Sequence, residues 1–167
     1  DLFEYQGKQL LAAQGIPVPS GEVAETPQEA RAAAERIGGR VVVKAQVQVG
    51  GRGKAGGIKL ADDPAGAEEH AQAILGMDIK GHTVHRVWVE EASDIQREYY
   101  ASVTFDRGAK KPLVMLSAMG GVDIEEVAAN NPDALARLHI DPLTGFQAHH
   151  ARWLAYHAGI DEGAMRG

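Results

Sequence analysis

The segment from Val41 to Gly57 constrains this chain more than any other. It reads Val41-Val42-Val43-Lys44-Ala45-Gln46-Val47-Gln48-Val49 and then Gly50-Gly51-Arg52-Gly53-Lys54-Ala55-Gly56-Gly57. Side chains of a strand alternate between faces. The pattern therefore predicts a strand over 41–49 with Val43, Ala45, Val47 and Val49 on an apolar face. Lys44, Gln46 and Gln48 fall on the other, so one cation and two amides face open space. Five of the eight residues from Gly50 to Gly57 are glycine. With no Cβ to block approach, such a loop can bring bare backbone N–H groups to an anion. Arg52 and Lys54 add positive charge, a combination that suits a polyphosphate.

Two familiar glycine motifs fail on context. A P-loop needs Ser or Thr after Gly-Lys, and Ala55 follows Gly53-Lys54. Gly51-x-Gly53-x-x-Gly56 matches a dinucleotide fingerprint, but that fingerprint opens a helix, and Gly57-Ile58-Lys59-Leu60 reads as a second strand. What is left is a glycine loop joining two strands over phosphates, as in protein kinases. A flexible surface hairpin with incidental basic residues competes with it on equal terms. A second segment, Val87 to Glu98, ends a strand in Glu90 and Glu91 and carries Ser93, Asp94 and Glu98 before the next strand. Carboxylates at such a corner can accept from ribose hydroxyls or an exocyclic amine, although spacing alone favours a solvated acidic turn.

The rest of the chain adds little chemistry. His82-x-x-His85 and His149-His150 lack metal-ligand spacing, and Ser117 has no spaced His and acid for a triad. Trp88 and Trp153 are expected in cores. Seventeen Lys and Arg against 23 Asp and Glu give a net charge of −6, which argues against a nucleic-acid partner. No apolar stretch is long enough for a membrane span. The absence of Cys removes disulfides and thiol chemistry and suits a reducing compartment.

The predicted elements mix helices and strands without strict alternation, which points to an α+β fold. Asp1 to Ala13 reads as a helix stopped by Gly15 and Pro17, and Ile16 to Gly21 as a stiff hinge between two units. Thr26-Pro27-Gln28-Glu29 and Asp63-Pro64 start helices that end near Ile37 and Gly76. Strands are expected at 58–60, 84–90, 99–105 and 113–117, with 106–112 as a long hairpin loop. Helices are expected at 124–129, 132–138 and 147–158.

Taken in order, these segments resemble the amino-terminal part of the succinate–CoA ligase β-subunit family, whose nucleotide domain is an ATP-grasp fold. The likeness is carried by Leu2-Phe3-Glu4-Tyr5-Gln6-Gly7-Lys8-Gln9-Leu10, Val43-Lys44-Ala45-Gln46-Val47 and Gly50 to Gly57. It continues through Val89-Glu90, Asp94-Ile95, Glu98, Tyr100, Gly120 to Glu125 and Asp141-Pro142-Leu143-Thr144-Gly145. The resemblance implies a nucleotide (ATP/ADP) site in which Lys44 contacts phosphate and Gly51, Arg52 and Gly53 form the loop over it. Glu90, Ser93 and Glu98 fall at positions near adenine and ribose, which turns the acidic corner from a solvated turn into an expected site.

The resemblance further implies ATP-dependent formation of a thioester from succinate and CoA, in the tricarboxylic acid cycle, through a phosphohistidine on an α-subunit partner. No catalytic residue and no metal ligand is expected within the chain, because the family's magnesium ligands, an Asn and an Asp, lie later than Gly167. The chain alone is therefore expected not to turn over. It also implies a larger subdomain made of 1–18 and 103–167 and a smaller one, 19–102, carrying the glycine loop. Rival readings are a malate–CoA or other acyl-CoA ligase subunit and a non-enzymatic nucleotide-binding module. A bacterial cytoplasm is the expected location.

Overall fold

The computed structural model describes residues 1–166. It divides into two compact units, Asp1–Asp94 and Ile95–Gly167. This differs from the division expected above. The first helix belongs with the glycine-rich segment, to which ion pairs bind it, and the extended stretch at 16–21 runs into a strand of the same unit instead of separating two.

The first unit is a four-stranded antiparallel sheet with helices. Its elements are α1 (Glu4–Ala13), β1 (Gly21–Ala24), α2 (Pro27–Ile37), β2 (Val41–Ala45), β3 (Ile58–Ala61), α3 (Pro64–Ile74), β4 (Asp78–Ile79), β5 (His82–Thr83) and β6 (Val87–Glu91). The strand order is β1-β6-β2-β3, while β4 and β5 form a small hairpin. Both long helices begin as the sequence dictates. Thr26 Oγ1 accepts from the Glu29 N–H at 3.2 Å and Asp63 Oδ1 from the Gly66 N–H at 2.7 Å. Pro27 and Pro64 fill first-turn positions where a missing N–H costs nothing.

Alternation along β2 decides which face is core. Val41, Val43 and Ala45 are fully buried, with Val87 and Val89 of β6, against Ala30, Ala33 and Ala34 of α2 and Ala67, Ala71 and Ile74 of α3. The alanines let the two helices approach each other closely over the sheet. Lys44 of β2 and Trp88 and Glu90 of β6 emerge on the opposite face. The register pairs Lys44 with Trp88 and Val42 with Glu90, so Lys44 and Glu90 are diagonal neighbours, a spacing that long side chains bridge. β2 stops at Ala45, short of the expected Val49, although the Gln46 N–H still donates to the Arg86 carbonyl at 3.0 Å.

The second unit holds a three-stranded antiparallel sheet, β7 (Tyr100–Asp106), β8 (Lys111–Ser117) and β9 (Ala136–His139), in the order β7-β8-β9. The helix α4 (Ile124–Asn130) precedes β9, and α5 (Ala148–His157) packs Leu154, with Ala158 just past its end, against Val114, Leu116, Ala136 and Leu138. The helix expected at 132–138 is instead a single tight turn, Pro132–Ala134, followed by β9. Pairing with β8 overrides local propensity there: Leu138 lies opposite Val114 and Ala136 opposite Leu116. Trp153, expected in a core, is 41 % exposed.

Candidate nucleotide-phosphate site

On the open face of the first sheet, five charged side chains from four segments converge. Lys44 Nζ lies 2.6 Å from Glu90 Oε1 and 3.2 Å from Glu4 Oε1. Arg52 Nη1 lies 2.7 Å from Glu4 Oε2 and donates to the Ala45 carbonyl at 3.0 Å. Lys8 pairs with Glu4 at 3.1 Å, one helical turn away, and also with Glu90 Oε2. Trp88 Nε1 donates to that same Glu90 oxygen at 2.7 Å. Three cations therefore surround two carboxylates, leaving one net positive charge.

Burial makes these contacts count. Glu90 is 5 % exposed and the side chains of Lys44, Lys8 and Glu4 about one-fifth exposed. Burial pushes the Glu4 carboxyl up, but Lys44 and Arg52, with hydrogen bonds from Arg52 and Lys8, outweigh it and hold the group at about 2. The same contest lowers Glu90, where burial is overcome by hydrogen bonds from Lys44, Lys8 and Trp88. It raises Lys44, where burial is overcome by Glu90 and Glu4. All three stay charged at neutral pH. Lys44 thus stands on the face read from the alternation, yet as a clasped ammonium rather than a cation pointing alone into open space.

The glycine-rich segment closes on itself. The N–H groups of Ala55, Gly56 and Gly57 donate to the carbonyls of Gly51, Gly53 and Arg52 at 3.1, 3.0 and 2.8 Å. Those of Gly51, Arg52, Gly53 and Lys54 donate to no backbone carbonyl among the described residues and remain for a ligand or water. Gly51 takes φ +86°, a conformation that favours glycine. Gly57 is needed for space instead, since a Cβ there meets Ile79 Cδ1 at 2.9 Å and the Ala45 Cβ at 3.0 Å. Beside the cluster a cleft of about 300 Å³ is lined by residues including Phe3, Gln46, Gln48, His82 and Arg86. Gln46 is buried: its amide nitrogen donates to the Lys44 and Ala45 carbonyls while its Oε1 accepts from the Tyr5 N–H of α1 at 3.4 Å, so it points to the face read from the strand pattern but is covered there by α1.

Of the seven residues marked from the sequence, Lys44, Arg52 and Glu90 come together, with Gly51 and Gly53 in the turn that carries Arg52. Ser93 is exposed just past the end of β6. Glu98 belongs to the second unit, where its carbonyl accepts from the Gly120 N–H at 3.0 Å and its carboxylate lies against Gly121. Sequence reasoning missed Glu4, Lys8 and Trp88. The signal for the first two was their spacing of four on α1, usually read as a surface pair. It also missed Lys80, in a left-handed turn residue at φ +53°, whose Nζ sits 3.2 Å from where a Gly51 Cβ would be. Among the described residues no group of three or more His, Asp or Glu is arranged to hold a metal ion.

The fold has counterparts among known proteins. The ATP-grasp domain family model matches residues 1–166, and the chain belongs to that family. Within it, the chain is 58 % identical over 161 residues to the succinate–CoA ligase [GDP-forming] subunit beta of Thermus thermophilus, covering 96 % of this chain and 43 % of that protein. It is 55 % identical over 160 residues to the [ADP-forming] subunit beta of Rubrobacter xylanophilus, with 96 % and 42 % covered. The chain therefore spans less than half the length of these relatives. Among solved structures, the dinucleotide-forming acetyl-coenzyme A synthetase 1 of Ca. Korarchaeum cryptofilum, in complex with coenzyme A and Ca-AMPCP, superposes with a TM-score of 0.76 at 21 % identity. That match covers 93 % of this chain and 65 % of that one. A Pyrococcus horikoshii protein gives 0.71 at 23 %, covering 92 % and 63 %. These likenesses show the ATP-grasp fold, α+β with antiparallel sheets.

Proposed function

We propose that this chain binds the phosphates of ATP or ADP on the open face of its first sheet, as the nucleotide-binding part of a succinate–CoA ligase β subunit. The observation that carries this reading is the convergence of Lys44 and Arg52 beside a turn with four uncommitted N–H groups. Lys44 supplies a point charge, Arg52 a planar fork and the glycines directional donors. In this reading Glu90 braces Lys44 and Lys8 beside the phosphates, and Ser93, just past the end of β6, serves the base and ribose. The complete enzyme joins succinate to CoA at the cost of ATP through a phosphohistidine on an α-subunit partner. Magnesium, held by residues outside those described here, neutralises phosphate charge when bound. The relatives' names support this reading, since both ADP- and GDP-forming β subunits match along almost the whole chain.

ATP is preferred over GTP in this proposal, and a cytoplasmic location goes with it. No described helix is long and apolar enough to cross a membrane. The test is a calorimetric titration of the chain with ATP, ADP and GTP, repeated on Lys44→Met. ATP and ADP should bind, GTP more weakly, and Lys44→Met should lose at least about tenfold in affinity for ATP, the equivalent of one charge-assisted contact. Equal ATP affinity in both proteins overturns the assignment.

A further inference from the structure

We infer that Glu4, from the start of α1, is the positioning residue that holds Lys44 and Arg52 at the spacing a phosphate group needs. The inference rests on the nucleotide reading above. Lys44 comes from β2 and Arg52 from the glycine-rich turn, and the backbone ties them only on one side, through the bond from Arg52 to the Ala45 carbonyl, so the Lys44 ammonium needs a second partner to be held against Arg52. Among the described residues Glu4 is the one carboxylate that both share: Oε1 takes Lys44 at 3.2 Å and Lys8 at 3.1 Å, and Oε2 takes Arg52 at 2.7 Å. Glu90 touches Lys44 and Lys8 but not Arg52. Without Glu4, Arg52 keeps, among the described residues, only the Ala45 carbonyl.

The donor count leaves room for a ligand. An ammonium has three donors and a guanidinium five. Glu4 and Glu90 take two from Lys44, while Glu4 and the Ala45 carbonyl take two from Arg52, both on Nη1. One N–H of Lys44 and the Nε and Nη2 groups of Arg52 stay available. Glu4 thus aligns both cations without exhausting them. Its own place is fixed from behind. The Phe3, Tyr5 and Trp88 rings stack in series at 5.9 and 6.0 Å, and Arg86 lies 5.5 Å from the Phe3 ring. These contacts hold α1, which buries no residue of its own, onto the sheet at the height of Lys44.

The sign of one substitution separates positioning from a counter-charge. Glu4→Gln keeps the shape and raises the net charge of the cluster from one to two. If Glu4 merely neutralises the site, polyphosphate binds more tightly to the variant. If Glu4 positions the cations, binding weakens despite the added positive charge.

The experiment is calorimetric titration of the full chain, its Glu4→Gln variant and its Glu4→Asp variant with ATP and with adenosine, which lacks phosphate. Positioning predicts about a tenfold weaker ATP affinity in Glu4→Gln, adenosine affinity within about twofold of the original, and a smaller ATP loss in Glu4→Asp. Should Glu4→Gln fail to fold, Glu4→Asp carries the test, with an ATP loss and no adenosine loss expected. Unchanged or tighter ATP binding in the variants, or equal losses for both ligands, overturns the inference. If Lys44→Met weakens ATP binding while Glu4→Gln does not, the nucleotide reading stands and the positioning role falls. If neither matters, the nucleotide reading itself falls.

Discussion

Replacing Glu4 by Gln should remove a pH-dependent part of the chain's stability. Folding moves the Glu4 carboxyl from the usual 4.5 to about 2. At about 1.4 kcal/mol per pKa unit this corresponds to about 3 kcal/mol, or about 2–3 kcal/mol after allowing for its partial exposure to solvent. Because the folded pKa is the lower one, this stability is fully present above about pH 4.5. It falls as the pH drops toward 2, where both folded and unfolded chains bind the proton. The groups facing Glu4 are Lys8, Lys44 and Arg52, which stay cationic throughout that window. Urea unfolding of both proteins between neutral pH and about pH 3 reads the effect. The original should be more stable by about 2–3 kcal/mol at pH 7, with the gap shrinking to about 1 kcal/mol near pH 3. A gap that stays constant with pH refutes the ion-pair account of α1 docking, since loss of packing alone has no such window.

Other perturbations have equally definite outcomes. A Cβ at position 21 falls 2.3 Å from the Trp88 ring, so Gly21→Ala should shift the indole, weaken its bond to Glu90 and cost about 1–3 kcal/mol in urea unfolding. Trp88→Phe keeps most of the ring but deletes the donor to Glu90, and should cost about 1.5–3 kcal/mol, the range for a hydrogen bond to a charged group. Leu154 is 2 % exposed in the core of the second unit. Leu154→Ala should lower that unit's stability by about 2–5 kcal/mol and leave ATP affinity of the first unit unchanged by titration.

Legibility in the sequence followed the range of the interactions involved. Helix starts at Thr26-Pro27 and Asp63-Pro64 depend on bonds spanning three residues, and they stand where the sequence puts them. The alternation that sends Val43 inward and Lys44 outward is equally local. The Lys44–Glu4 and Arg52–Glu4 pairs cross 40 and 48 residues, and no periodicity of α1 announces them, because the helix docks by ion pairs and stacked rings instead of an apolar stripe. The strand Ala136–His139 overlaps the helix expected at 132–138 for the same reason: its register with β8 is a tertiary fact. Gln46 alternates with the open face, but α1 covers it there and its amide bonds to backbone, the Lys44 and Ala45 carbonyls and the Tyr5 N–H, which strand periodicity does not register.

The most direct test of the central claim is a crystal structure of the chain with a non-hydrolysable ATP analogue. The account predicts phosphate oxygens within about 3 Å of Lys44 Nζ, an Arg52 nitrogen and the N–H groups of Gly51 to Gly53. A triphosphate bound elsewhere, with Lys44 and Arg52 contacting only Glu4 and Glu90, contradicts it.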